Sequence, residues 1–319
     1  MTTPNLSELI TTTLRRRDKK IIDNFTNKNA LLKRLKDKGK VKKVSGGRTI
    51  VKPLYYDDNN TFQRYADYET LNTAASDVIS AAEYEWKQAN VNVVISGAER
   101  RKNSGESQLF DLLESRIENA ILTMENNICS DLYSAGTADG GKQINGLQAL
   151  IAGDPTTGTV GGINRATYTF WRNQFYDFSA ASVTPSSTTI QAAMNDQYVN
   201  CLRGADQTDL ILAANNYWLF YLASLQANQR FTDADSGMAG FTSIKFMNAD
   251  VVPDGGSGIP TSTMYFLNTN YLSFDVHPDA FMSPDDEITS INQDAVVVPI
   301  RFMGNLTMSN AARQGIVLA

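Results

Sequence analysis

Apolar residues recur at helical spacing most clearly between Ser107 and Tyr133, where Leu109, Leu113, Ile117, Ala120, Ile121, Met124, Ile128 and Leu132 fall on one face. The spacing predicts one long amphipathic helix. Asn103 and Glu106 form a capping box at its start, Gly136 supplies a left-handed cap after it, and Asp111, Glu114, Glu118 and Glu125 make its polar face.

Upstream, Arg48–Ser96 is rich in Tyr, Thr and Val, with strand-like pieces at Thr49–Tyr56 and Val91–Ser96. The most turn-like stretch between them is Asn72, Thr73, Ala74, Ala75, Ser76 and Asp77. Folded back there, the limbs make a long antiparallel hairpin; about 16 strand residues at 3.3 Å each would project roughly 50 Å. A free hairpin of that length exposes its edges and is marginal in water, so it calls for a partner surface.

Downstream, glycine-rich loops at 135–146 and 158–162 lead through a Ser/Thr-rich linker to a helix (Ile190–Leu202), an apolar strand (Asp209–Ala213) and a second helix (Tyr217–Ala227). That is an α/β unit. The last third predicts strands at Ile244–Val252, Met264–Leu272 and Ala295–Phe302, with Gly304 interrupting before Leu306–Ser309 and Ile316–Leu318. The fold class is α+β, and no internal repeat is visible.

Charge changes this picture at one end. The net charge of −5 conceals 15 Lys+Arg against 4 Asp+Glu in residues 1–52, a net of +11, and a net of −16 in the remainder. Two short amphipathic stretches in this arm (Leu6, Leu9, Ile10, Leu14 and Leu31, Leu32, Leu35) are too small to fold alone, so the arm gains order only against its own body or a neighbouring chain. Its basic residues are Arg15, Arg16, Arg17, Lys19 and Lys20, then Lys33, Arg34, Lys36, Lys38, Lys40, Lys42 and Lys43. They can neutralise phosphates without reading sequence, since no zinc finger, helix-turn-helix or stacking motif accompanies them. Gly46-Gly47 closes the arm as a hinge. No run approaches the roughly 20 apolar residues of a membrane span, and Met1-Thr-Thr-Pro-Asn lacks a secretory apolar core, so the expected location is the cytosol that makes the chain, with no membrane partner.

Candidate chemistry is sparse. His277 is the only histidine and precedes Pro278, a turn context rather than a general base. Asp275, His277, Asp279, Asp285, Asp286 and Glu287 could in principle hold a hard cation, but their spacing matches no calcium loop. Gly136-Thr-Ala-Asp-Gly-Gly-Lys142 imitates a phosphate loop, yet Gln143 replaces the final Ser or Thr and the loop follows a helix instead of a strand. Cys129 and Cys201 lack paired spacing and read as small buried hydrophobes. The expectation is no enzyme activity, no catalytic or metal-binding residue and no cofactor.

The order of basic arm, long hairpin, long helix, glycine-rich loop, α/β unit and terminal strands resembles the major capsid proteins of tailed double-stranded DNA bacteriophages, with the Hong Kong ninety-seven-like fold. The local stretches that carry the resemblance are residues 159–174 (TVGGINRATYTFWRNQ), then Tyr265–Thr269, Asn292–Ala295 and Met303–Asn310. It implies a basic N-terminal arm at 1–47, an extended E-loop at 48–97 whose tip at Asn72–Asp77 meets the next subunit, and a peripheral domain at 98–187 with the spine helix. An axial domain at 188–278 and a return to the peripheral domain at 279–319 complete it. It further implies self-assembly as hexamers and pentamers into an icosahedral head around double-stranded DNA, built in the host bacterial cytoplasm and ending in the virion. Portal, scaffolding and decoration proteins are the other implied partners. An encapsulin-type nanocompartment is the alternative of the same fold, and a basic-arm nucleic-acid-binding protein the alternative of another class.

Overall fold

The computed structural model describes residues 29–102, 112–225, 244–254, 258–289 and 293–319. Its described part opens on helix α1 (Ala30–Asp37), strand β1 (Val41–Lys43) and the hairpin strands β2 (Thr49–Tyr55) and β3 (Ile79–Glu85). Strand β4 (Lys87–Ser96), the short helix α2 (Gly97–Lys102) and the long helix α3 (Leu112–Asp131) follow. A ribbon of β5 (Thr159–Val160) and β6 (Ile163–Asn164) precedes β7 (Gln174–Asp177), α4 (Ile190–Cys201), β8 (Leu210–Ala213) and α5 (Asn215–Ser224). The chain closes with β9 (Ile244–Phe246), β10 (Ala249–Pro253), β11 (Thr263–Leu267), β12 (Leu272–Pro284), β13 (Ile288–Thr289), β14 (Ala295–Met308) and β15 (Gly315–Leu318).

Unbroken apolar runs go to a six-stranded mixed sheet in the order β7-β15-β11-β8-β10-β9. Ile211 and Ala213 of β8 and Met264 and Phe266 of β11 share one core with Ile190, Met194, Tyr217 and Tyr221 of α4 and α5. Their alternates Leu210, Leu212, Tyr265 and Leu267 join a second core that includes α1, α3 and the other large sheet. Covered on both faces, such strands have no polar side to show, and every residue of β8 and β11 is buried.

The second sheet is built around β14. One side of β14 pairs with β12 and β13, the other with β4 through ten consecutive partners from Ala295↔Ser96 to Gly304↔Lys87. β1 adds a parallel edge beyond β12. Helix α3 contributes buried Ala120, Met124, Ile128 and Cys129 to the core beneath this sheet, as its spacing predicts. The expected capping box at Asn103 and Glu106 lies outside the described residues.

Several boundaries differ from the sequence expectation. Helix α3 ends at Asp131, five residues before Gly136, because the chain folds back so tightly that a Cβ on Gly146 would lie 2.4 Å from the Asp131 carbonyl oxygen. Ile244–Val252 is a hairpin, turned at Met247 with a left-handed φ of 52°. Gly304 does not interrupt its strand; β14 runs through it, and a Cβ there would meet the Asp275 carbonyl oxygen at 2.7 Å. Strand pairing also crosses the expected domain limits. β12 joins the second sheet from Leu272 onward, while β7 and the terminal β15 join the six-stranded sheet.

Candidate assembly surfaces

The hairpin is shorter than expected and is rooted in the body. β2 and β3 pair from Thr49↔Glu85 to Tyr55↔Ile79, seven residues a limb, about 23 Å of strand. This register centres the fold-back on Asp67, so Asn72–Asp77 lie on the returning limb rather than at the turn. Val91–Ser96 is not the second limb at all, since β4 has left the hairpin to pair with β14. At the root, Lys52 Nζ sits 2.8 Å and 2.9 Å from the two carboxylate oxygens of Asp275, which is fully buried and also accepts from Thr307 Oγ1. The Tyr84 hydroxyl donates to the Met308 carbonyl at 2.9 Å, and burial pushes its pKa well up. Asn305 Nδ2 donates to the Glu85 carbonyl, and the Glu83 amide to that of Gly161. Gly161, at φ 58°, brings the β5–β6 ribbon so close that a Cβ would touch Ala82 and Tyr84 at 3.0 Å.

Beyond the root, residues 56–78 are held mainly by local polar contacts. Gln63 Nε2 donates to the Thr70 carbonyl, the Asn72 amide to Gln63 Oε1, and the Ala66 amide to Glu69 Oε2. Asn72, Thr73, Ala74, Ala75 and Asp77 are exposed and Ser76 is half-buried. The sequence expectation overlooked the residues that most distinguish this segment: Tyr55 is 81%, Phe62 78%, Tyr65 66% and Tyr68 102% exposed, with Leu71 and Ile79 also open to solvent. The signal was present as aromatics three apart (62, 65, 68) inside a polar stretch. Apolar area concentrated on a projection marks an interaction surface more than scattered surface hydrophobes do.

The arm splits in two. Arg15, Arg16, Arg17, Lys19 and Lys20 lie outside the described residues. From Asn29 onward it orders on its own body: Asn29 Oδ1 caps the Leu32 amide while its Nδ2 donates to the Cys129 carbonyl, and Ala30, Leu31, Leu32 and Leu35 are buried. Arg34 reaches Asp250 at 3.3 Å and Asp209 at 3.6 Å, Lys38 pairs with Asp209, and Lys40 Nζ donates to the Asn270 carbonyl. Part of the basic charge therefore meets acids of the same chain. Lys33 is half-buried, whereas Lys36, Lys42 and Lys43 are exposed.

The remaining chemical candidates disperse. Asp275 belongs to Lys52, Asp285 pairs with Arg301 and Glu287 with Arg100, each at 3.3 Å, and His277 Nδ1 accepts from the Asp279 amide. No metal-binding group of acids, cysteines or histidine occurs among the described residues. The phosphate-loop imitation is a turn in which Gly136, Asp139, Gly140 and Gly141 take positive φ, closed by Gln143 Nε2 donating to Asp131 and by Lys87 donating to the Gly141 carbonyl. Both cysteines are free and buried, and burial raises each thiol to about 12. Among the described residues no helix is long and apolar enough to cross a membrane.

No protein-family model and no curated sequence matches the chain. Solved structures do, over nearly its whole length. The capsid of Cyanophage A-1(L) superposes with a TM-score of 0.70 at 17% identity, covering 100% of this chain and 99% of that one. The chain has the Hong Kong ninety-seven-like capsid fold. The holo-SrpI encapsulin complex of Synechococcus elongatus PCC 7942 shares it at a TM-score of 0.62 and 11% identity (99% and 96% covered), as does the capsid of Myoviridae phage XM1 at 0.58 and 12% (96% and 97%). Most of its structural neighbours are capsid proteins of tailed phages.

Proposed function

We propose that this chain is the major capsid protein of a tailed phage, a structural subunit that assembles as hexamers and pentamers into an icosahedral head around double-stranded DNA. The observation that carries the reading is the hairpin: firmly rooted by Lys52, Tyr84 and Asn305, yet leaving Tyr55, Phe62, Tyr65 and Tyr68 largely exposed to solvent. Burial of such side chains is worth about 1.5–3 kcal/mol each, available only when another surface arrives. Asn72–Asp77 belong to the same intersubunit segment. Repeated over many weak contacts, this favours a closed shell held by interfaces, with no catalytic turnover. The working location is the host bacterial cytoplasm during assembly and the virion afterwards, with portal, scaffolding and decoration proteins as further partners.

The encapsulin reading is retained because SrpI matches over 99% of the chain. Electron microscopy of purified full-length protein, with nucleic-acid content measured on the particles, separates the two. Phage-like heads that take up DNA are expected; small cages holding protein cargo would favour the encapsulin, and a chain that forms no particles would overturn both.

A further inference from the structure

Residues 56–78 hold Asp57, Asp58, Asp67, Glu69 and Asp77 against Arg64 alone, a net of −4, with all six exposed. None of these carboxylates has a Lys or Arg partner among the described residues. At the root of the same hairpin, residues 36–48 hold Lys36, Lys38, Lys40, Lys42, Lys43 and Arg48 against Asp37, a net of +5. Among the described residues only Lys38 of this ridge is in an ion pair; Lys36, Lys42, Lys43 and Arg48 are exposed. Seven strand residues separate tip from ridge, about 23 Å. That is well beyond a Debye length of about 8 Å at physiological salt, so the two charges of one copy do not neutralise each other.

We infer that the acidic, aromatic tip of one copy docks on the basic ridge of the next, Lys36, Lys42, Lys43 and Arg48, so that the hairpin's partner is the root of its neighbour's hairpin. Charge complementarity selects a second copy over nucleic acid as the occupant facing the tip, because a phosphate backbone would be repelled by five carboxylates. Tip and ridge are different surfaces, so the contact is head-to-tail; repetition closes into rings when the rotation allows. The aromatics supply buried area, and the charges supply register and steering. The inference rests on the shell reading and adds the identity of the tip's receptor.

The test is a charge swap in the full chain. Asp57→Lys, Asp58→Lys, Asp67→Lys and Asp77→Lys together reverse the tip; Lys36→Glu, Lys42→Glu, Lys43→Glu and Arg48→Glu reverse the ridge. Each set alone is expected to leave the monomer's circular dichroism and melting unchanged and to cut particle yield at least tenfold, and the two sets combined in one chain are expected to restore it. Should a reversed monomer misfold, the neutral sets (Asp→Asn, Lys→Gln, Arg→Gln) are expected to lower yield less and to remove its salt dependence. Normal particles from the tip-reversed chain overturn the contact, as does failure of the combined chain to recover. A ridge-reversed chain that assembles normally but retains less DNA would reassign the ridge to nucleic acid. Absence of particles from the unaltered chain sinks the shell reading itself, which is a separate result.

Discussion

The six-stranded sheet and the β2–β3 hairpin draw on the same aromatic and β-branched residues, yet they dispose of them oppositely. In β11, Met264, Tyr265, Phe266 and Leu267 are all fully buried, divided between two cores of the same chain. In the hairpin, Tyr55 and Ile79 form a cross-strand pair that is mostly exposed, and Phe62, Tyr65 and Tyr68 beyond it are exposed as well. On the proposed shell reading, the stability of the subunit and that of the assembly are held by different strands. Substitutions should affect one while sparing the other.

The sharpest break of the contrast is Phe266→Ala, which removes a fully buried ring and is expected to destabilise the monomer by about 3–5 kcal/mol, read from denaturant unfolding. A loss below about 1 kcal/mol would mean that the sheet is not the subunit's own core. Lys52→Met comes next, because it leaves Asp275 buried without a counter-charge, at a cost of about 3–5 kcal/mol. Combining it with Asp275→Leu should recover most of that, whereas equal damage in the double variant would show that the pair does more than neutralise itself.

On the hairpin side, Phe62→Ala with Tyr68→Ala is expected to change monomer stability by no more than about 0.5 kcal/mol, the range of surface substitutions. Particle formation should nevertheless fail. Normal assembly of this variant would remove the tip from the interface. The smallest effect concerns Glu99, held below the ordinary glutamate range near 4.5 first by the Ser96 amide and then by Arg116. A lowered folded-state pKa means that its contribution is present at neutral pH and fades as pH falls through that lowered value. Glu99→Gln should therefore flatten slightly the acid limb of the stability profile, and an unchanged limb would refute this.

How much of this was legible in the sequence followed from what each segment packs against. The apolar spacing of α3 is an intrinsic property of one helix, and it specified Ile117, Met124 and Ile128 correctly. The strand expected at Asp209–Ala213 is present as Leu210–Ala213 for the same reason, whereas the single strand expected at Met264–Leu272 ends at Leu267 and a new one begins at Leu272. Hairpin register was not legible. Thr49–Tyr55 is equally compatible with several partners until Lys52 finds Asp275 and Tyr84 finds Met308, contacts more than 200 residues apart. Gly304 reads as a break only while its neighbour is unknown; beside the Asp275 carbonyl it permits close approach. Turn chemistry marks Asn72–Asp77, whereas the exposure of Phe62, Tyr65 and Tyr68 follows from a strand register that local sequence does not specify. Arg34 and Lys38 were grouped with a long basic arm, although Asp209 and Asp250 claim them within the chain.

Trp86 is the single residue between β3 and β4, so the hairpin and the body strand are one nearly continuous cable. A pull on the projecting hairpin travels along β4, whose ten residues are bonded in register to β14. Antiparallel hydrogen bonds lie perpendicular to the strands, and traction along β4 therefore loads them in shear, all at once, instead of opening them one by one like a zipper. β14 passes the load to β12 and β13 on its far side. A tug on the outstretched limb is thereby spread across the whole sheet instead of being concentrated at the limb's base.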